Sequence, residues 1–171
     1  FYRATKQAAE ILIEACHEEY GLDYTILRYG SLYGPRADET NGMYRIVKSA
    51  LEDGVVKYEG DVDAMREYIH VDDAAKASVN AINDEFRNEN VVITGQEPMK
   101  VIDMLKMLSE ILGLPVESVE FVEDQYAGHY VRTPYSYQPK LGKKYIPPMH
   151  VDLGQGLLQV INDISAELNE D

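Results

Sequence analysis

Apolar residues recur every three or four positions at the start of the chain and predict a long first helix over residues 2–20. The recurring set is Ala8, Ala9, Ile11, Leu12, Ala15 and Cys16, which is the pattern of a helix with one buried stripe. Gly21 is predicted to end this helix. Residues 23–28 are β-branched and aromatic and predict a strand, which leads into the turn-rich segment 30–35.

The rest of the chain alternates helical and extended patterns. We predict further helices over residues 43–52, 72–86, 100–112 and 153–168, and strands over residues 55–58, 66–70, 91–94 and 119–122. The predicted buried set of the helix over residues 100–112 is Ile102, Leu105, Met107, Leu108 and Ile111. Helices that alternate with short strands indicate an α/β fold.

Two segments depend on finer signals. Asp72 or Asp73 is expected to cap the helix that starts there, because a carboxylate accepts the N–H groups left unpaired at a helix start. Residues 124–150 are rich in Tyr, Pro and Gly and show no period, so we predict a long structured loop. No repeat or flexible linker marks a domain boundary inside the chain.

Composition narrows the class of protein. The chain has 171 residues, 45% of them hydrophobic, with 30 acidic and 16 basic side chains and a net charge of −14; this fits one globular unit and argues against nucleic-acid binding, which needs a basic face. Cys16 is the only cysteine, so no disulfide framework exists, and we predict a reducing, cytoplasmic location. No apolar run approaches the roughly 20 residues of a membrane-spanning helix.

Tyr2 and Lys6 are four residues apart and therefore share one face of the first helix. A lysine ammonium one turn away favours the phenolate form of a tyrosine, whose reference pKa is about 10, and so creates an acid/base group for near-neutral pH. For the pair alone, an ordinary exposed Tyr and Lys is the favoured interpretation, since such spacing arises by chance in many helices. The motifs that follow in the sequence decide between the catalytic and the ordinary interpretation of this pair.

Three later segments supply that context: LRYGSLYGPR at 27–36, REYIHVDDAA at 66–75 and VVITGQEP at 91–98. In this order behind the Tyr–Lys pair, they resemble the extended short-chain dehydrogenase/reductase family, the NAD-dependent epimerases and dehydratases of nucleotide sugars. The resemblance covers essentially the whole chain. It implies the C-terminal part of such an enzyme: the last strands of a Rossmann-type parallel sheet plus a small α/β substrate-binding region.

The resemblance also implies roles for individual residues. Tyr2 would be the catalytic acid/base, and Lys6 would assist it and bind the nicotinamide ribose. Tyr29, Gly30 and Ser31 would border the cofactor. Ser31 and Arg66 would contact the substrate diphosphate, although many relatives have Asn at the serine position and an ordinary ion pair for the arginine is equally open. Tyr126 and Tyr130 would line the sugar pocket, or would simply seal their loop onto the domain surface.

The sequence lacks parts that such an enzyme needs. None of its 12 glycines forms a phosphate-binding G-x-x-G-x-x-G, and the chain opens at Phe1 inside a helix without the family's upstream Ser or Thr. We therefore expect a fragment, inactive by itself, of an enzyme that uses NAD or NADP. Within it, residues 1–35 and 89–98 are expected on the Rossmann side, and residues 36–88 and 99–171 mainly in the substrate-binding region.

The expected function is that of the C-terminal substrate-binding part of an NAD-dependent nucleotide-sugar epimerase or dehydratase. The resemblance favours epimerisation at a carbinol carbon and implies a homodimer formed through the first helix. The alternative is a non-catalytic nucleotide-sugar binding or dimerisation module without the cofactor half. No metal site is expected, because His17, His70, His129 and His150 are scattered.

Overall fold

The computed structural model describes residues 1–61, 63–122 and 141–170. Its helices are α1 (Tyr2–Tyr20), α2 (Gly42–Asp53), α3 (Val71–Asn80), α4 (Val101–Leu112) and α5 (Leu153–Glu170). Its strands are β1 (Thr25–Tyr29), β2 (Ser31–Tyr33), β3 (Val56–Glu59), β4 (Met65–Arg66), β5 (Tyr68–His70), β6 (Glu89–Ile93), β7 (Met99–Lys100), β8 (Val119–Val122) and β9 (Lys143–Tyr145). Short 3₁₀ turns cover Asp84–Phe86 and Val116–Ser118.

Most of the strand pairs run parallel, as expected for an α/β fold. A three-stranded sheet has the order β1-β6-β9, with Leu27 opposite Val91 and Ile93 opposite Tyr145. Two further parallel pairs are β2–β5 and β3–β8, and β4 pairs antiparallel with β7.

Gly30 joins the three-stranded sheet to the β2–β5 pair. Its N–H donates to the Ile93 carbonyl at 2.9 Å, and the next N–H, of Ser31, donates to the Glu67 carbonyl at 2.8 Å. A Cβ on Gly30 would lie 2.6 Å from that Glu67 oxygen. The close approach of the two backbones therefore requires glycine at this position.

Two hydrophobic clusters hold the elements together. The larger lies among α2, α4 and α5 and is centred on fully buried residues such as Val47, Leu105 and Leu157. The smaller packs α3 against the three-stranded sheet, where Ala77 contacts a cluster that includes Val91 and Ile93. These two clusters do not test the predicted division of the chain into Rossmann and substrate-binding parts, which stays a prediction.

Several predicted elements are confirmed, because long periodic segments carry the strongest sequence signal. The helices α1, α2 and α5 match their predicted ranges to within two residues, and strands lie at or beside each predicted extended segment. Gly21 and Gly113 end α1 and α4 in the left-handed conformation, with φ of 66° at both positions.

The predicted burial of the α1 stripe is wrong. Ile11 and Leu12 are 61% and 65% exposed, Ala8, Ala9 and Ala15 are also exposed, and only Cys16 is half-buried. Helical spacing shows that one face is apolar but not which part of a protein covers it. No described residue covers this face, so α1 presents an open apolar surface.

The start of α3 differs from the prediction. His70, and not Asp72 or Asp73, is the N-cap residue, since its Nδ1 accepts the Asp72 N–H at 3.3 Å. Both aspartates lie in the first turn instead. The helix also ends at Asn80, well before the predicted residue 86, and a 3₁₀ turn follows.

Smaller differences concern short or tightly packed segments. The turn-rich segment 30–35 contains β2, and the predicted loop 124–150 contains β9, while residues 123–140 lie outside the described part of the chain. Three-residue strands are too short to show a period. In α4 the buried face is Val101, Met104, Leu105, Leu108 and Ser109, so the predicted Ile102, Met107 and Ile111 lie at its half-buried margin.

In the part of the chain that the structure describes, no helix combines the length and the apolar character needed to cross a membrane.

Candidate functional site

A cleft of about 620 Å³ is a candidate binding site among the described residues. Its walls come from β2, from one face of α2, from β3, and from the segment β4–β5. The residues that matter most for its chemistry are Ser31, Arg45, Lys57, Tyr58, Arg66 and Tyr68. The cleft is large enough for a drug-sized ligand and mixes aromatic, polar and charged groups.

Ser31 and Arg66, two of the predicted site residues, line this same cleft. The parallel register places Ser31 opposite Tyr68, two residues after Arg66. The backbone fixes both: the Ser31 N–H is bonded to Glu67, and the antiparallel pair β4–β7 places Arg66 opposite Met99. The Arg66 guanidinium also donates from Nη1 to the Met65 carbonyl at 2.9 Å.

The charge of the cleft is mixed. Lys48 donates to Glu39 Oε1 at 2.7 Å, and this bond raises the pKa of the lysine. Arg45 donates to the Glu39 backbone carbonyl at 2.8 Å. Glu39 therefore engages the two cations of α2, and the cationic groups on the strand side of the cleft are Lys57 and Arg66.

Aromatic rings form part of the strand-side wall. Burial raises the pKa of Tyr68 well above its ordinary value, the charge of Arg66 opposes that shift, and Tyr58 adds to it. The Tyr68 phenol therefore stays neutral in the physiological range and can both donate and accept a hydrogen bond. Tyr58 packs edge-on against Phe121 with ring centroids 5.9 Å apart, which fixes its orientation toward the cleft.

Tyr2 and Lys6 lie together on α1, as their spacing predicts. The Lys6 ammonium is 5.3 Å from the centroid of the Tyr2 ring, within the range of a cation–π contact. Both side chains are exposed, and neither is among the described residues that line the cleft. The structure thus brings Tyr2 to Lys6 but shows no contact between this pair and Ser31 or Arg66.

Tyr29 and Gly30 lie at the carboxyl end of β1, the edge where α/β sheets bind ligands. The Tyr29 hydroxyl is 2.6 Å from Ser78 Oγ on α3, and Ser78 in turn donates to the Ala74 carbonyl. This bond holds the exposed Tyr29 ring against α3. The two remaining predicted site residues, Tyr126 and Tyr130, lie outside the described residues.

Sequence reasoning missed several residues of the cleft. Tyr68 lies two positions after Arg66 in an extended segment, so the two side chains project from the same side of that segment. The two-residue period of a strand is therefore the signal that could have identified Tyr68. Arg45, Ser49 and Glu52 are three or four residues apart on α2, so they form a polar face of that helix. Lys57 carries no comparable signal, because β3 is only 4 residues long.

Among residues 1–61, 63–122 and 141–170, no group of three or more His, Cys, Asp or Glu side chains is arranged to hold a metal ion.

Residues 1–94 match the family model of the NAD-dependent epimerase/dehydratase family. The chain belongs to the NAD-dependent epimerase/dehydratase family. The match includes the Tyr–Lys pair and the 27–36 and 66–75 segments, so the resemblance drawn from those residues is confirmed.

Individual relatives agree with this membership. The chain is 30% identical to a UDP-glucuronate 4-epimerase of Thermodesulfobacterium geofontis over 66% of its own length and 35% of that protein. It is 30% identical to a dTDP-glucose 4,6-dehydratase of Streptomyces griseus over 94% of its own length and 48% of that protein. The chain thus spans between about a third and a half of the length of these curated relatives.

A solved relative shows the fold. The crystal structure of UDP-glucuronic acid 4-epimerase from Bacillus cereus, in complex with UDP-glucuronic acid and NAD, superposes with a TM-score of 0.78 at 24% identity. The alignment covers 96% of this chain and 52% of that one. The predicted fold class, the α/β fold of this family with parallel strands, is therefore confirmed.

Proposed function

We propose that this chain is the substrate-binding, C-terminal part of an NAD-dependent nucleotide-sugar epimerase or dehydratase. The observation that supports this most strongly is the shared cleft of Ser31 and Arg66 in a chain of this family that also carries the Tyr2–Lys6 pair. The matched relatives are named as epimerases and dehydratases of UDP- and dTDP-sugars. Epimerisation at a carbinol carbon is the leading reaction, and dehydration or reduction are the related possibilities.

In this proposal the cleft holds the nucleotide diphosphate. A guanidinium carries a permanent charge and several donors, so Arg66 suits a bidentate contact with a diphosphate. Lys57 adds a second cation on the strand side. The Tyr58 and Tyr68 rings offer apolar faces to a sugar or base, and their hydroxyls offer hydrogen bonds. Ser31 is shorter than the asparagine of many relatives and contributes at most one hydroxyl.

Tyr2 is the proposed acid/base. Its phenol oxygen takes the proton of the sugar hydroxyl, and the Lys6 ammonium on the same helix face binds the nicotinamide ribose. The cofactor, when bound, supplies the hydride acceptor and donor. Tyr29, Gly30 and Ser31, where β1 leads into β2, border the nicotinamide and the sugar. The hydrogen bond between the hydroxyls of Tyr29 and Ser78 holds Tyr29 in this position.

The residues of this chain fit only the nicotinamide end of NAD or NADP. The sequence has no glycine-rich phosphate loop, which is the part that cradles the pyrophosphate. In the described sheet, β1 pairs with β6 on one edge, and no described strand pairs with its other edge. We propose that the remaining half of the parent enzyme adds its strands at that edge, and that this chain is inactive alone.

The second candidate is a non-catalytic nucleotide-sugar binding or dimerisation module. The open apolar face of α1 favours self-association in either case, because a contiguous exposed apolar surface marks an interaction site. We propose a homodimer formed through α1. The two candidates share the cleft and the dimer and differ only in catalysis.

An activity assay of the parent enzyme separates these two candidates. The native gene is read upstream of the Phe1 codon and expressed whole, and turnover of UDP-glucose and UDP-glucuronic acid is measured for Tyr2→Phe and Lys6→Met. Loss of a positioned acid/base should lower turnover by roughly 100-fold or more. Tyr20→Phe, at another exposed tyrosine of the same helix, is the control and should keep full activity. Full activity of Tyr2→Phe, or no glycine-rich strand-turn-helix upstream, would leave only the non-catalytic module.

A further inference from the structure

His70 caps the start of α3 through a ring nitrogen. It is the last residue of β5 and the N-cap residue of α3, and its Nδ1 accepts the Asp72 N–H at 3.3 Å. The side chains most often found at this position are Ser, Thr, Asp and Asn, which accept through an oxygen. A histidine nitrogen accepts a hydrogen bond only while it carries no proton. The cap of α3 therefore depends on the protonation state of one side chain.

The neutral His70 ring has one position left for an additional proton. Since Nδ1 accepts the Asp72 N–H, the proton of the neutral ring is on Nε2. A second proton must therefore go to Nδ1, which then becomes a donor. Two donors would face each other at this contact, so the hydrogen bond that caps α3 is lost. A cation at a helix N-terminus also opposes the helix dipole.

A new partner for the protonated ring lies next to the old one. Asp72 Oδ2 is 3.8 Å from His70 Nδ1, and the Asp72 side chain is 58% exposed, which leaves it room to move. His70 itself is only 1% exposed, and a buried cation needs a paired charge. We therefore expect the protonated ring to exchange the Asp72 N–H for the Asp72 carboxylate.

Other ionisable groups surround His70 on each element that packs there. On β2, Tyr33 lies opposite His70, and the two rings meet edge-on with centroids 5.4 Å apart; burial raises the pKa of this phenol, so it stays neutral. On α3, Lys76 Nζ is 3.6 Å from Asp73 Oδ1. Three further ionisable residues line the same cavity of about 220 Å³ as His70, namely Glu97, His150 and Asp152. Carboxylates near a histidine favour its protonated form.

The first turn of α3 also holds the segment that precedes α5. Asp73 Oδ2 accepts the Val151 N–H at 2.6 Å, and α5 begins two residues later, at Leu153. Asp73 is only 2% exposed, so the turn must stay closed to keep this bond in place. Because Asp72 and Asp73 belong to one turn, opening that turn also displaces the Asp73 carboxylate.

We propose that His70 is an acid-sensitive cap, which releases the first turn of α3 and the Asp73–Val151 hydrogen bond when Nδ1 takes up a proton. The neutral ring holds the turn closed. The protonated ring pairs with the Asp72 carboxylate and leaves the turn open. The inference does not rest on the proposed enzymatic function, because it uses only the hydrogen bonds and charges around His70.

NMR spectra of the whole chain between about pH 8 and pH 5, the range in which histidine side chains titrate, test this proposal. The nitrogen shifts of the His70 ring report which nitrogen takes up the proton. Amide exchange rates, corrected for their intrinsic pH dependence, report the protection of the Asp72 and Val151 N–H groups. The expected result is a proton on Nδ1 and, with the same midpoint, a loss of protection at both amides of about fivefold or more.

Two variants separate His70 from the other histidine of the cavity. His70→Asn supplies a cap oxygen that accepts a hydrogen bond throughout this pH range, so both amides should stay protected in acid. His150→Gln removes the exposed histidine one position before Val151 and should lose protection as the unchanged chain does.

Several results would overturn the proposal. A His70 ring that stays neutral down to about pH 5, or one that takes up a proton on Nδ1 while both amides stay protected, would remove the switch. Loss of protection that persists in His70→Asn would assign it to another group, and loss that disappears in His150→Gln would assign it to His150. If His70→Asn does not fold, the ring and amide data of the unchanged chain and of His150→Gln decide by the same criteria.

Discussion

Glu10 on α1 and Arg28 on β1 form a two-point ion pair: Arg28 Nε donates to Glu10 Oε1 at 2.8 Å, and Nη2 donates to Oε2 at 2.7 Å. The side chains of Arg28 and Glu10 are only 14% and 22% exposed. The same helix carries Tyr2 and Lys6, and the same strand leads into Ser31. The pair therefore helps to set where the proposed acid/base lies relative to the cleft.

Glu10→Gln should loosen α1 on the sheet. The variant loses the charge of a bidentate, largely covered pair, for which we expect about 1.5 kcal/mol. Since little else in the described structure packs on this helix, the loss should appear as roughly tenfold faster amide exchange in α1. Hydrogen exchange followed by mass spectrometry measures it. Glu18→Gln, at an exposed position of the same helix, should exchange as the unchanged chain does; equal protection in both variants would contradict the role of the pair.

The open face of α1 predicts self-association of the chain. Leu12 is more than half exposed there, and covering such a side chain contributes about 1.5–3 kcal/mol. Sedimentation equilibrium at micromolar concentration should show a dimer for the unchanged chain and a monomer for Leu12→Glu. Ile82→Glu, at an exposed apolar residue after α3, is the control and should remain dimeric. A monomeric unchanged chain would rule out the proposed homodimer.

Gly156 of α5 packs so closely against Tyr33 of β2 that a larger residue should not fit there. A Cβ on Gly156 would overlap the Tyr33 hydroxyl oxygen and ring carbons, so Gly156→Ala should lower the free energy of unfolding by about 1–3 kcal/mol. This exceeds the gain of about 1 kcal/mol that alanine brings to a helix. Gly42→Ala in α2 meets no atom within 4 Å and should be neutral or stabilising. Urea unfolding measures both, and an unchanged Gly156→Ala would contradict the close packing.

Alkaline pH should destabilise the fold through Tyr68. Burial raises its pKa above the unfolded value, so the folded state holds its proton more tightly than the unfolded state does. The resulting stability is complete below about pH 10, the ordinary tyrosine pKa, and is lost as the pH rises toward the folded pKa. Tyr68→Phe should flatten this decline in unfolding free energy. Tyr20→Phe, at an exposed site, should leave it unchanged, and a decline equally steep in both variants would contradict the prediction.

The sequence predicts the long elements of this fold better than its short ones. Helices α1, α2 and α5 have enough turns to show a clear period, whereas β2 and β9 have 3 residues each and follow from pairing with distant strands. The exposure of the apolar α1 stripe shows a second limit of prediction from sequence. Periodicity predicts that Ile11 and Leu12 share a face, but their exposure depends on which surfaces are there to cover them.

The residues of the candidate site also differ in how well the sequence predicts them. Ser31 and Arg66 could be selected because they lie in motifs whose order is specific. Tyr68 follows from strand alternation once Arg66 is placed.

Calorimetry with UDP-glucose on this chain tests the central claim, that the cleft lined by Ser31 and Arg66 holds a nucleotide diphosphate sugar. Arg66→Gln should weaken binding by about tenfold or more, since a charged hydrogen bond to a phosphate contributes about 1.5–3 kcal/mol. Arg87→Gln, at a surface arginine paired with Asp23 and Asp84, is the control. The account predicts that the unchanged chain and Arg87→Gln bind alike and that Arg66→Gln binds more weakly. Equal affinity in all three proteins, or no heat of binding to the unchanged chain, would contradict it.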